Sequence, residues 1–165
     1  MDSPPLRDQL RPALLDRLTD HHVDNRHDAA ETPGLRRNDY QDSVQRDLAW
    51  LLNAIRLESN IDLSPYPEVR NSVVNFGLPA FSGSMLATLN PLDLEKAIHS
   101  AILRFEPRID PASLEVKMID SEDMTHHNLL GFRIRGMLWA QPYPIELLLR
   151  TQLDIDCGEF RLEAE

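Results

Sequence analysis

The sequence predicts an α+β fold in which N-terminal helices pack on one face of a small antiparallel sheet of three or four strands in the C-terminal half. Apolar residues recur every three to four positions before Pro111 and every second position after it. Hydrophobic residues make up 42% of the 165 residues, which is typical of one compact domain. Because the helical pattern precedes the strand pattern, we expect helices and strands to form separate layers.

The best-marked helix lies between Asn90 and Pro107. Asn90 can cap the first turn, and Pro91 suits the first helical position. Pro107 disfavours helical geometry at Glu106, so the helix should end near Phe105. The apolar stripe consists of Leu94, Ala97, Ile98, Ala101, Ile102 and Phe105.

Two further helices precede it. A core helix should begin at Asp42 or Ser43, and Trp50 lies off its apolar stripe, so Trp50 either rims the core or faces a partner. Pro67 can open a short helix. The predicted inner face of that helix consists of Val69, Val73 and Phe76, and another helical piece is expected at Ser82–Leu89.

Residues 1–37 are predicted to form an amphipathic helix and a flexible polar linker, followed by an α+β domain at residues 38–165. A short helix from Pro12 to Leu18 would expose a leucine stripe. The stripe includes Leu14, Leu15 and Leu18. This helix either folds back on its own domain or docks on another protein.

After Pro111, strands are expected at Leu114–Met118, Phe132–Arg135 and Ile145–Arg150, with Glu159–Leu162 as a short candidate fourth strand. One sheet face should meet the helices, and the charged face should be wet or covered by a partner. The charged face carries Glu115, Lys117, Arg133, Arg135 and Glu146. A meander also leaves open edges that can accept a strand from another chain.

Composition excludes several functions. A formal net charge of −10 and a pI near 5.0 argue against nucleic-acid binding. From Glu106 onward, acids outnumber basic residues, which favours either a basic partner or a solvated acidic face.

The single cysteine, Cys157, excludes an internal disulfide. Without an apolar run long enough to span a bilayer or an N-terminal signal sequence, we expect a soluble, cytoplasmic protein with no direct membrane insertion.

No metal or cofactor is expected. The His-rich stretch at residues 21–28 and the pair His126 and His127 lack the rigid frame that metal sites need. The glycines are scattered and form no phosphate loop. Catalysis by paired carboxylates would use Glu106 with Asp110 or Glu115 as the second acid. Arg108 favours the charged form of Glu106, however, whereas a general acid must be protonated. We therefore expect no enzyme.

The main candidate site is Glu106-Pro107-Arg108 at the exit of the long helix. A carboxylate and a guanidinium held beside a proline form a fixed acceptor and a forked donor, which suits docking. The alternative is an intramolecular bridge, and one bridge could serve both purposes. We expect the two ions to point outward or across a subunit seam, so Arg108→Ala should leave the isolated fold nearly unchanged and weaken partner binding.

Four stretches match a known family in the same order. They are LLDRLTD at Leu14–Asp20, SVQRDLAWLLN at Ser43–Asn53, SPYPEVRNSVVNFGLPAFSG at Ser64–Gly83 and EPR at Glu106–Arg108. Together they resemble TssE, the type VI secretion baseplate family, which is homologous to the wedge subunit of contractile phage tails. Phe76 stands where the family usually has Tyr, and Ala80 where it has an acid.

The resemblance implies a structural baseplate part that joins a hetero-oligomeric assembly at the cytoplasmic face of the inner membrane. It implies TssF and TssG as wedge partners and TssB/TssC as the sheath proteins whose assembly the sheet seeds. Glu106, Pro107 and Arg108 would contact the wedge. Leu14, Leu15 and Leu18 would suit a second contact. The alternative that the family's label suggests is a lysozyme-like, peptidoglycan-degrading hydrolase.

Overall fold

The computed structural model describes residues 13–19, 37–80, 90–119, 129–140 and 143–164. The helices in these ranges are α1 (Leu14–Leu18), α2 (Arg37–Asn53), α3 (Pro67–Arg70) and α4 (Pro91–Phe105), with 3-10 turns at Leu57–Ser59 and Val73–Asn75. The strands are β1 (Glu115–Ile119), β2 (Leu129–Leu138), β3 (Ile145–Asp154) and β4 (Phe160–Ala164). They form one antiparallel sheet in the order β1-β2-β3-β4, so the predicted α+β fold is confirmed.

Helices α2 and α4 cover one face of the sheet and contact each other. Helix α4 lies against β1, and α2 lies against β4. Alternate strand residues point into this layer because successive side chains of a strand leave opposite faces. The fully buried core includes Val44, Leu48, Leu94, Ile98, Ile102, Phe132, Ile134, Leu138, Leu149 and Leu153.

The local signals around α4 act as predicted. The Asn90 side chain accepts a hydrogen bond from the Leu92 amide at 3.1 Å, and Pro91 occupies the first turn. The helix ends at Phe105, and Glu106 leaves helical geometry with φ −119° and ψ 80°.

Helix α2 begins at Arg37, earlier than the predicted start at Asp42 or Ser43. The additional turn carries Tyr40, which is buried and donates its hydroxyl to the Trp139 carbonyl at 3.2 Å. Ser43 lies inside the helix and donates to the Tyr40 carbonyl at 2.9 Å. A contact with a residue distant in the sequence therefore extends this helix.

The segment after Pro67 differs from its predicted packing. Helix α3 begins at Pro67 but ends at Arg70, and Val73 is 79% exposed instead of lining an inner face. The buried residue is Asn75, whose side chain accepts from the Glu58 amide and donates to the Arg70 carbonyl, both at 2.9 Å. The helix expected at Ser82–Leu89 lies outside the described residues.

Gly77 is required where this segment returns to the end of α2. Its φ is +118°, and an added Cβ would lie 2.3 Å from the Ala54 carbonyl oxygen. That same oxygen accepts a hydrogen bond from the Leu78 amide at 2.8 Å. Any larger residue would displace this backbone pairing.

Helix side chains meet both outer edges of the sheet. At β4, the Asn53 amide accepts from the Phe160 N–H and donates to its carbonyl, both at 2.9 Å, and Gln45 donates to the Leu162 carbonyl at 3.3 Å. At β1, Glu95 accepts from the Met118 N–H at 2.6 Å. Because these side chains use edge groups that would pair with an added strand, the edges are less open than the meander pattern suggested.

Candidate partner-binding site

The corner after α4 is held by a network of ions. Glu106 is only 4% exposed, and its carboxylate accepts from the Arg108 amide at 3.1 Å and from two guanidinium nitrogens at 2.7 and 2.5 Å. The guanidinium also donates to Asp47 Oδ2 at 2.6 Å and Ser43 Oγ at 3.2 Å, both on α2. The bridge therefore joins the exit of α4 to the middle of α2.

A second guanidinium extends the network toward the N terminus. Arg46 donates to Asp47 Oδ1 at 2.9 and 3.0 Å and to Asp16 of α1, so Asp47 is shared between two arginines. The Arg46 guanidinium also lies over the Trp50 ring, 5.2 Å from its centroid. One ionic network thus connects α1, α2 and the corner.

The electrostatics favour a permanently charged Arg108. Burial lowers the pKa of its guanidinium, but hydrogen bonds and charge attraction from Glu106 and Asp47 outweigh burial and raise that pKa overall. Nearby, burial raises the pKa of Tyr40, with opposing contributions from Arg108 and Glu106. The Arg108 guanidinium at the corner is therefore charged across the physiological pH range.

The backbone that follows the corner is fixed to the end of β2. The Arg108 carbonyl accepts from the Trp139 amide at 2.8 Å, and the Asp110 amide donates to the Met137 carbonyl at 2.8 Å. Between these two bonds, Ile109 forms an isolated antiparallel bridge with Leu138. Both the side chains and the backbone of the corner are therefore anchored.

Glu106, Pro107 and Arg108 line one side of an open cavity of about 390 Å³, which we call the corner groove. The groove is lined by Ala13, Asp47, Leu48, Trp50, Leu51, Phe76, Phe105, Glu106, Pro107 and Arg108. Trp50 is more than half exposed, and Phe76 packs edge-on against Phe105 at 5.3 Å between ring centroids. The groove thus combines an apolar wall with an ionic one.

Helix α1 lies beside the groove through Asp16, yet its leucines do not enter the core. Leu14 is 70% exposed, Leu15 42% and Leu18 74%. The segment contacts its own domain through the Asp16–Arg46 ion pair and leaves its leucine stripe exposed, so docking on another protein stays a prediction.

The structure brings Glu106, Pro107 and Arg108 together at one site but revises the expected orientation of Arg108. Its side chain is 21% exposed and bonded to α2, so removing it should not leave the fold unchanged. Sequence reasoning missed Asp47 and Arg46. In the sequence, these two residues form only an Arg-Asp pair on the polar side of a core helix. Such a pair does not by itself indicate a binding site.

Other proposed chemistry does not assemble at the corner. Every side-chain bond to the Glu106 carboxylate in the described residues comes from Arg108, whereas Glu115 lies on the outer sheet face and pairs with Lys117. Among these residues, no group of three or more His, Cys, Asp or Glu side chains could hold a metal ion. The His-rich stretch and His126 and His127 lie outside them. Cys157 is a free, exposed thiol.

The fold places the chain among α+β domains whose helices cover one face of an antiparallel meander. A family model described as baseplate wedge protein gp25 matches residues 38–143, and the chain belongs to this family. The resemblance seen in the sequence is confirmed at this level. Searches of curated proteins and of solved structures found no match. None of the described helices combines the length and apolar character needed to cross a membrane.

Proposed function

We propose that this chain is a structural subunit of a type VI secretion baseplate, which binds the wedge proteins TssF and TssG and seeds assembly of the TssB/TssC sheath. Membership of the wedge family supports a baseplate role. The observation that carries the proposal is the anchored corner of Glu106, Pro107 and Arg108 beside an open apolar groove. Such a subunit would work in the cytoplasm, at the inner membrane.

The corner groove fits a wedge contact for a physical reason. A docking surface gains affinity when its groups are fixed before binding, since less conformational entropy is lost on association. Two arginines, two carboxylates and a backbone bridge fix this corner, and exposed Trp50 supplies the type of aromatic anchor enriched at binding hot spots. A partner would bury Trp50 and Pro107 against the ionic wall.

The leucine stripe of α1 suits a second contact with the same assembly. A second site on one chain raises overall affinity without any change at the first site. Leu14 and Leu18 are the most exposed members of the stripe, so their loss should weaken assembly more than it weakens the fold.

We propose a role without catalysis. A hydrolase of the lysozyme type needs a general acid that can give up a proton. Here both oxygens of the Glu106 carboxylate accept hydrogen bonds from the Arg108 guanidinium, so the carboxylate is engaged in a bridge within the chain. The lysozyme-like alternative has no second observation in its favour.

The test uses the full chain co-expressed with TssF and TssG and recovered by a tag on TssF. Trp50→Ala should lower recovery at least about tenfold, which corresponds to about 1.4 kcal/mol of binding free energy. Tyr66→Ala is the matched control, because Tyr66 is a similarly exposed aromatic residue outside the groove. Equal recovery of both variants would refute the groove as the wedge contact.

The second contact is tested with Leu14→Ser/Leu18→Ser in the same assay. Recovery should fall by a smaller factor than with Trp50→Ala, and the melting temperature should stay close to that of the unaltered chain. If the unaltered chain itself fails to recover with TssF and TssG, the type VI assignment is wrong.

A further inference from the structure

A cavity of about 310 Å³ lies between α4 and the segment that returns to the end of α2, and its described lining shares no residue with that of the corner groove. On α4 the lining side chains are spaced three or four positions apart, so they share one helix face. The lining residues are Arg56, Asn75, Gly77, Pro79, Asp93, Lys96, Ala97, Ser100, Ala101 and Arg104. Because three of these residues are cations and one is an acid, we call it the cationic cavity.

Arg56 has unused hydrogen-bond donors at this cavity. Within the part of the chain that the structure describes, its guanidinium donates no hydrogen bond, and its Nε is buried. Its ion pair with Glu58 spans 3.6 Å, beyond hydrogen-bond distance, whereas Glu58 lies 2.7 Å from Arg70. A guanidinium has several N–H donors, and a desolvated donor without an acceptor costs free energy. An acceptor supplied from outside would therefore stabilise this guanidinium.

Arg104 lines the same cavity and is held there without an acidic partner. A terminal nitrogen of its guanidinium donates to the Arg70 carbonyl at 3.3 Å, and the guanidinium lies 5.9 Å from the centroid of the Phe105 ring. In the described ranges, no carboxylate lies within ion-pair distance of Arg104. Its two contacts fix the position of the guanidinium and supply no counter-charge.

The acids near the cavity balance its cations only in part. Asp93 lies 3.9 Å from Lys96, and both side chains are mostly exposed, so solvent weakens this pair. Even when Glu58 is counted in full, three cations against two acids leave an excess of one positive charge. The connection at residues 81–89, which precedes α4, contains no acid and cannot supply the missing charge.

The cavity walls are held by hydrogen bonds, and exposed apolar side chains adjoin them. The Arg56 amide donates to the Leu78 carbonyl at 2.8 Å, and the Asn75 side chain uses both its oxygen and its nitrogen in hydrogen bonds. The 3-10 turn that contains Asn75 leaves Val73 79% and Val74 61% exposed. A ligand with an anionic group and apolar neighbours would match both features at a low entropic cost.

We propose that the cationic cavity binds one carboxylate side chain of another protein, on a segment in which apolar residues flank that acid. Arginine donors match the planar geometry of a carboxylate. One carboxylate balances the excess of one positive charge, whereas a phosphate carries about two negative charges and would also meet Asp93. The exposed valines favour a polypeptide segment over a free small carboxylate. This site goes beyond the proposed wedge contact and does not depend on it.

The test is an NMR titration of the full isotope-labelled chain at low salt, which follows backbone amides and arginine Nε–H signals. The probe is the peptide acetyl-Leu-Glu-Val-amide, and the references are acetyl-Leu-Gln-Val-amide, propionate and inorganic phosphate. The Glu peptide should bind at least about fivefold tighter than each reference and shift the Arg56 Nε–H signal and the amides of α4 that line the cavity. Binding should weaken as salt rises.

Variants locate the site. Arg104→Gln should weaken binding of the Glu peptide at least about tenfold. Arg161→Gln is the matched control, because it removes one exposed arginine from β4, outside the cavity lining, and should leave binding within about twofold. Asp93→Asn should strengthen binding by about threefold, because it removes the acid in the lining, whereas Asp39→Asn at an exposed position of α2 should not.

Four results would overturn the proposal. Absence of measurable binding of the Glu peptide is the first, and equal weakening by Arg104→Gln and Arg161→Gln, which would mean that only net charge matters, is the second. Propionate or phosphate binding as tightly as the Glu peptide would indicate a site for a free anion. Shifts confined to the corner groove or to the outer sheet face would place the peptide elsewhere. None of these measurements uses TssF or TssG, so the outcome is separate from that of the wedge test.

Discussion

Removing the Arg108 side chain should destabilise the isolated chain. The ionic network around Arg108 sets the size of the loss in unfolding free energy. Arg108→Ala leaves the Glu106 carboxylate, 4% exposed, without its guanidinium. Breaking a buried ion pair by removing one partner costs about 3–5 kcal/mol. Arg108 retains 21% exposure and Asp47 keeps Arg46 as a partner, so we expect the lower end, about 3 kcal/mol.

The assay is urea unfolding followed by far-ultraviolet circular dichroism. With a denaturant slope of about 2 kcal/mol per M, the midpoint should fall by about 1.5 M. Arg135→Ala is the matched control, because Arg135 also pairs with a glutamate but is exposed with it on the sheet surface. That variant should lose about 0–1 kcal/mol.

A double variant separates buried charge from lost packing. If the uncompensated carboxylate causes the loss, adding Glu106→Gln to Arg108→Ala should restore about 1–3 kcal/mol. Equal losses for Arg108→Ala and Arg135→Ala, or no recovery in the double variant, would refute the reasoning from burial.

Three further predictions concern local structure. Asn53→Ala should cost about 1–2 kcal/mol and speed hydrogen exchange at the Phe160 amide, which loses its acceptor. Gly77→Ala should cost at least about 1–3 kcal/mol in thermal unfolding, because φ is +118° and the new Cβ meets the Ala54 carbonyl. Hydrogen bonds from the following backbone amides lower the pKa of Asp154, so its stabilisation is complete above its unfolded pKa and lost as pH falls through the folded value. Asp154→Asn should therefore flatten the fall in melting temperature below about pH 4.

Short-range signals in the sequence determined the elements around the corner. Asn90, Pro91 and Pro107 act through bonds and steric contacts with their immediate neighbours, so the bounds of α4 could be predicted. The alternation after Pro111 likewise predicted the four strands and the charged outer face. Family membership was also readable from local motifs, since it depends on residue order alone.

Only the tertiary structure decided which groups these elements bring together. Arg108 reaches Asp47, 61 positions earlier, because α2 and α4 pack side by side on the sheet. The extra turn of α2 depends in the same way on the contact of Tyr40 with Trp139. Propensity and periodicity report faces of single elements and contain no information on which faces meet.

The distribution of charge also depends partly on the sequence and partly on the tertiary structure. The sequence determined that the chain is strongly acidic, and this average suggested a basic partner or a solvated face. Strand register places Lys117, Arg133 and Arg150 side by side on the outer sheet face, although the three residues lie far apart in the sequence. A shift of the strand pairing by one residue would move these side chains to the opposite face of the sheet relative to their neighbours. The register, which tertiary packing sets, therefore decides which charges lie side by side.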